Sequence, residues 1–142
     1  MTSDRFTTED GVRVVVQVPD PSCQALIDRV LQETALPYGD YDRVTFQSQP
    51  GRQQFRSTGS GRNAATDGVV AVPCVELSFF LPDEPALISR VLTALYDAHP
   101  YEEPVIFVAP CQRALHVRGR DEDNPNRFWN APPADWVPGD HR

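Results

Sequence analysis

One heptapeptide pattern occurs twice in this chain and constrains its fold more than any other feature. Ala25-Leu26-Ile27-Asp28-Arg29-Val30-Leu31 and Ala86-Leu87-Ile88-Ser89-Arg90-Val91-Leu92 share Ala-Leu-Ile-x-Arg-Val-Leu. Each copy follows an apolar, β-branched or aromatic run and a Pro-Asp turn. The first run is Gly11-Val12-Arg13-Val14-Val15-Val16-Gln17-Val18, closed by Pro19-Asp20-Pro21. The second is Val75-Glu76-Leu77-Ser78-Phe79-Phe80-Leu81, closed by Pro82-Asp83-Glu84-Pro85. Runs of this kind read as strands, and apolar residues spaced as in the repeats read as helices. The chain is therefore an internal repeat of a strand–helix unit.

A strand–helix–strand repeat has one preferred solution. Right-handed crossovers place both helices on the same sheet face, giving a ferredoxin-like βαββαβ fold of the α+β class with an antiparallel sheet. Ser22 is the expected cap of the first helix, which runs to about Thr34 before Pro37 and Gly39 end it. Residues 41–47 supply the second strand and 104–108 the last. A long insertion, about 48–73, separates the middle strands; Gln53-Gln54-Phe55-Arg56-Ser57 is a short strand candidate within it, and a hairpin extension or a loop would both fit. Ala114-Leu115-His116-Val117-Arg118 is a candidate fifth strand. The chain is expected to form a single domain over 1–142, with a core of about 11–110 and a C-terminal extension of about 111–142. That extension is polar and proline-rich after Gly119, yet it carries Phe128, Trp129 and Trp136. Its tryptophans are expected to clamp onto the domain or a neighbouring subunit.

Composition removes whole classes of function. The net charge is −7, unlike that of a protein that coats nucleic-acid phosphates. All 13 basic residues are arginine, so neither a Schiff-base lysine nor a phosphate-loop lysine exists. The polar first ten residues argue against a secretory signal, and no apolar run is long enough for a membrane span. The expected location is cytoplasmic, with neither nucleic acid nor membrane as partner. Cys23, Cys74 and Cys111 are odd in number and widely spaced. They read as buried or idle thiols rather than a disulfide or zinc framework.

Chemistry-bearing residues concentrate in His99-Pro100-Tyr101-Glu102-Glu103-Pro104. Pro100 stops the second helix at His99, and Pro104 suits a strand start. His99, Glu102 and Glu103 are candidate ligands for a divalent metal, or an acid–base set. A structural staple or an interface role for the turn is the favoured reading. In the insertion, Arg52, Arg56 and Arg62 accompany a single acid, Asp67; they could grip a small anionic ligand, although solvation is favoured. Asp20, Asp83 and Glu84 read as helix-terminal capping groups. His116 and His141 have no evident partners. No nucleophile elbow, zinc-protease helix or dinucleotide fingerprint is present, so the chain is not expected to be an enzyme by itself.

Ala98-His99-Pro100-Tyr101-Glu102-Glu103-Pro104, after an amphipathic helix and before an apolar strand, resembles the YqfO-type domain of the GTP cyclohydrolase 1 type 2 homologues. Gly39-Asp40-Tyr41-Asp42, Phe46, Gly51 and Phe55 follow that domain in order and rough spacing, and the resemblance covers about 12–109. It implies a CutA- or PII-like fold that commonly assembles into trimers, here as a stand-alone copy. It adds Tyr41, Asp42 and Tyr101 to the ligand-binding candidates. The family's two-metal body has no counterpart in this sequence, so a cyclohydrolase activity does not carry over. The leading expectation is an oligomeric binding or regulatory module, with self-association as trimers favoured. The alternatives are a divalent-metal-binding protein related to metal tolerance, a small hydrolase acting on a phosphorylated compound, and a scaffold that only self-associates or docks onto a partner.

Overall fold

The computed structural model describes residues 3–127. The elements run β1 (Phe6–Val18), α1 (Asp20–Leu31), β2 (Phe46–Gln47), β3 (Gly51–Phe55), β4 (Val70–Pro82), α2 (Pro85–Ala98) and β5 (Ile106–His116). Among the described residues, packing gives two compact units, Glu9–Arg113 and the chain-end segments 3–8 and 114–127. Trp129 and Trp136, expected to clamp onto the domain or a neighbour, lie outside the described residues, as do Phe128 and His141.

The sheet is ordered β2-β4-β1-β5, with β3 also paired to β4. β4 runs antiparallel to β1, with Val14 opposite Phe79 and Val16 opposite Leu77. Along β1, Val14, Val16 and Val18 are fully buried, and along β4 so are Leu77 and Leu81. This period of two directs one sheet face into the core. Leu26 and Val30 of α1 and Val91 and Leu95 of α2 close over that face. The repeat thus folds as expected: both helices cover the same face of an antiparallel sheet, and the fold is ferredoxin-like α+β. Each buried leucine or valine contributes about 1.5–3 kcal/mol of hydrophobic stabilisation.

The two repeat arginines converge. Arg29 Nη1 lies 3.0 Å from Glu33 Oε1, and Arg90 Nε lies 3.6 Å from Glu33 Oε2. One carboxylate thus bridges the two helices that the sequence presents as copies.

Helix starts differ from the expectation. α1 begins at Asp20 with Pro19 as N-cap and makes no side-chain capping hydrogen bond, so Ser22 lies inside the first turn rather than before it. Proline at the first helical positions needs no N–H there, which allows the earlier start. Glu84 is the N-cap of α2, also without a side-chain capping bond. The Asp20 carboxylate accepts from Gln47 Nε2 at 2.8 Å, so its role near the helix dipole is electrostatic only.

The edge of the sheet departs further. The sequence predicts a strand over 41–47, but only Phe46–Gln47 pairs, with Ser78 and Leu77. β3 then pairs with the earlier part of β4, Gly51 opposite Cys74 and Phe55 opposite Val70. The registers of β2 and β3 differ by one residue, which is a β-bulge. Pro50 sits there, where a missing N–H breaks no ladder bond. The insertion is therefore largely a hairpin extension, closed by residues 56–69. At the opposite edge, residues 114–116 are a continuation of β5 rather than a separate fifth strand.

In the unit formed by the chain ends, Val117 N–H donates to Arg5 O at 2.9 Å. Asp121 accepts from Arg5 at 2.8 Å and from Arg127 at 2.6 Å. The hydrogen bonds from Arg5 and Asn124 hold the Asp121 carboxyl down at about 2. No helix among the described residues is long and apolar enough to cross a membrane.

Candidate functional site

Pro100 forces extended backbone on His99, whose φ and ψ are −75° and 135°, so α2 ends there. The His99 side chain turns back over the sheet and is buried, with 8% of its surface exposed. Its Nδ1 accepts from the backbone N–H of Tyr101 at 3.0 Å, and its Nε2 lies 2.7 Å from the carbonyl oxygen of Gln17. An Nδ1 that accepts and an Nε2 that must donate define the neutral, Nε2-protonated tautomer. Burial pushes the imidazole below its ordinary pKa, and the bond to Gln17 offsets only part of that. The Tyr101 ring stacks obliquely on the imidazole, centroids 4.9 Å apart, and burial raises its phenol.

Gln17 is the hub of this corner. Its N–H donates to Val105 O at 3.0 Å, just after the turn. Its side chain donates to Glu76 Oε2 at 3.1 Å and accepts from Gln53 Nε2 at 2.7 Å. Turn, central strands and hairpin are thereby tied through one residue.

Glu102 joins the turn to the loop over 56–69. Its Oε1 accepts from Arg62 N–H at 2.6 Å, and its Oε2 from Asn63 Nδ2 at 3.3 Å. Gly61 lies against the same carboxylate, where a Cβ would come within 3.0 Å of Oε1. The donors are the Arg62 backbone N–H and the Asn63 side-chain amide, so the Arg62 charge is not what the carboxylate reads.

The structure therefore brings together His99, Tyr101 and Glu102, and adds Gln17, Gln53, Glu76 and Asn63, which the sequence reading missed. Gln17 left a signal, being the polar interruption in a valine run. Glu103 is exposed on the same turn. Arg52 and Arg56 are exposed on and just beyond β3. Tyr41 and Asp42 fall in the connection after α1, where Tyr41 bridges to Tyr38 through backbone bonds of 2.7 and 3.1 Å. They are not grouped with the His99 turn.

The metal candidates do not form a ligand set as arranged. Both ring nitrogens of His99 are engaged, and Glu102 holds the loop. Among the described residues, no group of three or more His, Cys, Asp or Glu side chains is placed to hold a metal ion. Cys23 and Cys74 are buried free thiols and Cys111 is half-buried.

No family model matches the chain, and no curated protein matches it. Solved structures do. A Bacillus cereus protein related to NIF3 is 26% identical with a TM-score of 0.62, over 77% of this chain and 28% of that one. CutA from Xylella fastidiosa is 18% identical with a TM-score of 0.51, over 75% of this chain and 83% of that one. The periplasmic divalent cation tolerance protein CutA from Archaeoglobus fulgidus is 14% identical with a TM-score of 0.51, over 72% and 83% of the two chains. The fold is therefore CutA-like. The chain spans about a quarter of the length of the NIF3-related protein, 28%.

Proposed function

We propose that this chain is a self-associating binding or regulatory module of the YqfO, CutA and PII-like type, acting as a trimer. The observation that carries the reading is the sheet face turned away from the helices. Phe46, paired opposite Ser78, is 67% exposed, and Phe55, opposite Val70, is 47% exposed. Phe107 is 57% exposed; the Gln17–Val105 bond sets it opposite Val15, on this same face. These exposed aromatics on one sheet face are apolar surface that association can cover. A second copy offers matching apolar surface. Arg52 and Arg56, exposed on the hairpin, are the groups through which a small anionic ligand would be held at the boundary between copies.

Light scattering on the full chain tests the assembly, beside a Phe46→Ser/Phe107→Ser double variant. A trimer that dissociates in the variant supports the reading, and a monomeric wild type overturns it. Calorimetry against nucleotides, small anions and divalent cations then tests the ligand role. Binding that weakens in Arg52→Gln or Arg56→Gln supports it, and no binding across the panel removes it. The name of the Archaeoglobus fulgidus neighbour is the main pointer to divalent cations, and the engaged nitrogens of His99 argue against that route here.

A further inference from the structure

Had the second strand run its expected length, Val44 would lie opposite Phe80, two positions beyond the Phe46–Ser78 pair. Instead Val44 N–H donates to Leu36 O at 3.0 Å and Arg43 N–H to Ala35 O at 2.7 Å. Leu36 and Arg43 adopt left-handed backbone, φ 49° and 57°, and interrupt the extended run a longer strand would need. A gap remains beside β4. Ser48 N–H donates to Glu76 O, and antiparallel ladder bonds on one side of a strand recur every second residue. The N–H and C=O of Phe80 therefore point into this gap, where no strand receives them.

The gap is a cavity of about 370 Å³, at the small end of ligand sites. Its walls are mostly apolar and include Leu36, Tyr38, Val44, Phe46 and Phe80. Two guanidinium groups border it. Arg113 is committed: it lies 2.7 Å from Glu9 Oε1, donates to Pro37 O at 2.7 Å, and stacks on Tyr38 and Phe80. Arg13, directly opposite Phe80 in β1, lines the cavity with no hydrogen-bond or ion-pair partner among the described residues.

We propose that this cleft binds a small carboxylic acid with a flat apolar body. The carboxylate pairs with Arg13 and accepts from Phe80 N–H, while the body packs against the aromatic wall. An inorganic anion would leave that wall unused, and a neutral aromatic would leave Arg13 unpaired. The free strand edge is too short to pair an added peptide strand over several residues. The site lies wholly within Glu9–Arg113 and does not rest on self-association.

The test is titration of the ¹⁵N-labelled full chain with benzoate and phenylacetate, with benzamide and acetate as the uncharged and body-less controls. The expected result is a saturable shift of the Phe80 amide with both aromatic acids and none with either control at equal concentration. Arg13→Gln is expected to weaken binding by about ten- to a hundred-fold, the scale of a lost charge-assisted hydrogen bond. Arg90→Gln, on the helical face, is expected to leave it unchanged, and Val44→Trp, which fills the cavity, to abolish it. Absence of saturable binding, equal binding in Arg13→Gln, or equal binding of benzamide would each overturn the proposal.

Discussion

His99 Nε2 lies 2.7 Å from the carbonyl oxygen of Gln17, a contact that spans 82 residues of sequence. It pins the end of α2 to the central strand β1, while Tyr101 N–H holds the other ring nitrogen at 3.0 Å. The turn is thus a neutral-imidazole staple. His99→Ala removes it and leaves a carbonyl and an amide without partners. The expected loss is about 2–3 kcal/mol of unfolding free energy, read as a lowered urea midpoint at pH 7.5. An unchanged midpoint would show that solvent replaces both bonds.

The same staple makes stability depend on pH. In the unfolded chain the imidazole titrates near its ordinary 6.5, and in the fold it titrates lower. Between those values the unfolded chain binds more protons, so stability rises with pH. The contribution is complete above about 6.5 and is lost as pH falls through the folded value. Urea midpoints between pH 7.5 and 5 are expected to fall in the wild type and to fall less in His99→Ala. Parallel slopes would assign the acid sensitivity to other groups.

Gly11 admits no side chain. A Cβ there would collide with the Leu81 carbonyl oxygen and the Phe80 ring. Gly11→Ala is expected to cost about 2–3 kcal/mol through overpacking, measured by thermal or urea unfolding. The Phe80 amide resonance should move with it, because that ring must shift. A near-neutral result would mean that β1 and β4 separate cheaply at this end.

Glu102 is exposed, so its effect is expected in local protection more than in global stability. Glu102→Ala is expected to speed hydrogen exchange at the Arg62 amide, whose 2.6 Å acceptor is lost, while core amides of β1 and β4 keep their rates. An unchanged Arg62 rate would show that the loop holds its place without the turn.

Glu33→Gln removes the negative charge that Arg29 and Arg90 share and leaves one amide oxygen as acceptor. All three side chains are partly exposed, so the expected cost is about 0.5–1 kcal/mol and should shrink in high salt. A cost that salt does not change would point to packing rather than charge.

The heptapeptide repeat made both helices, their common face and the sheet legible, because burial follows spacing directly. The missing stretch of the second strand was not legible. Tyr41-Asp42-Arg43-Val44 has good strand composition, and what overrides it is left-handed backbone at Leu36 and Arg43, neither of them glycine. The early start of α1 was hidden because Ser22 is a better cap by composition than Pro19. At the candidate site, His99, Tyr101 and Glu102 stood out as one motif. Gln53 and Asn63 did not, since their partners are set by hairpin register and loop path.

The Glu33 bridge has a consequence for how the two halves fit each other. In the repeat alignment Arg29 corresponds to Arg90, and Glu33 falls on Ala94, which is fully buried. Symmetry between the copies is broken at this pair of positions. Two second halves docked together would face arginine with alanine and find no acceptor, and two first halves would set glutamate where the partner needs a small buried methyl. The halves are complementary rather than equivalent. Fragments divided within the loop over 56–69 and mixed are therefore expected to recover one-to-one heterodimers in preference to either homodimer, by native mass spectrometry.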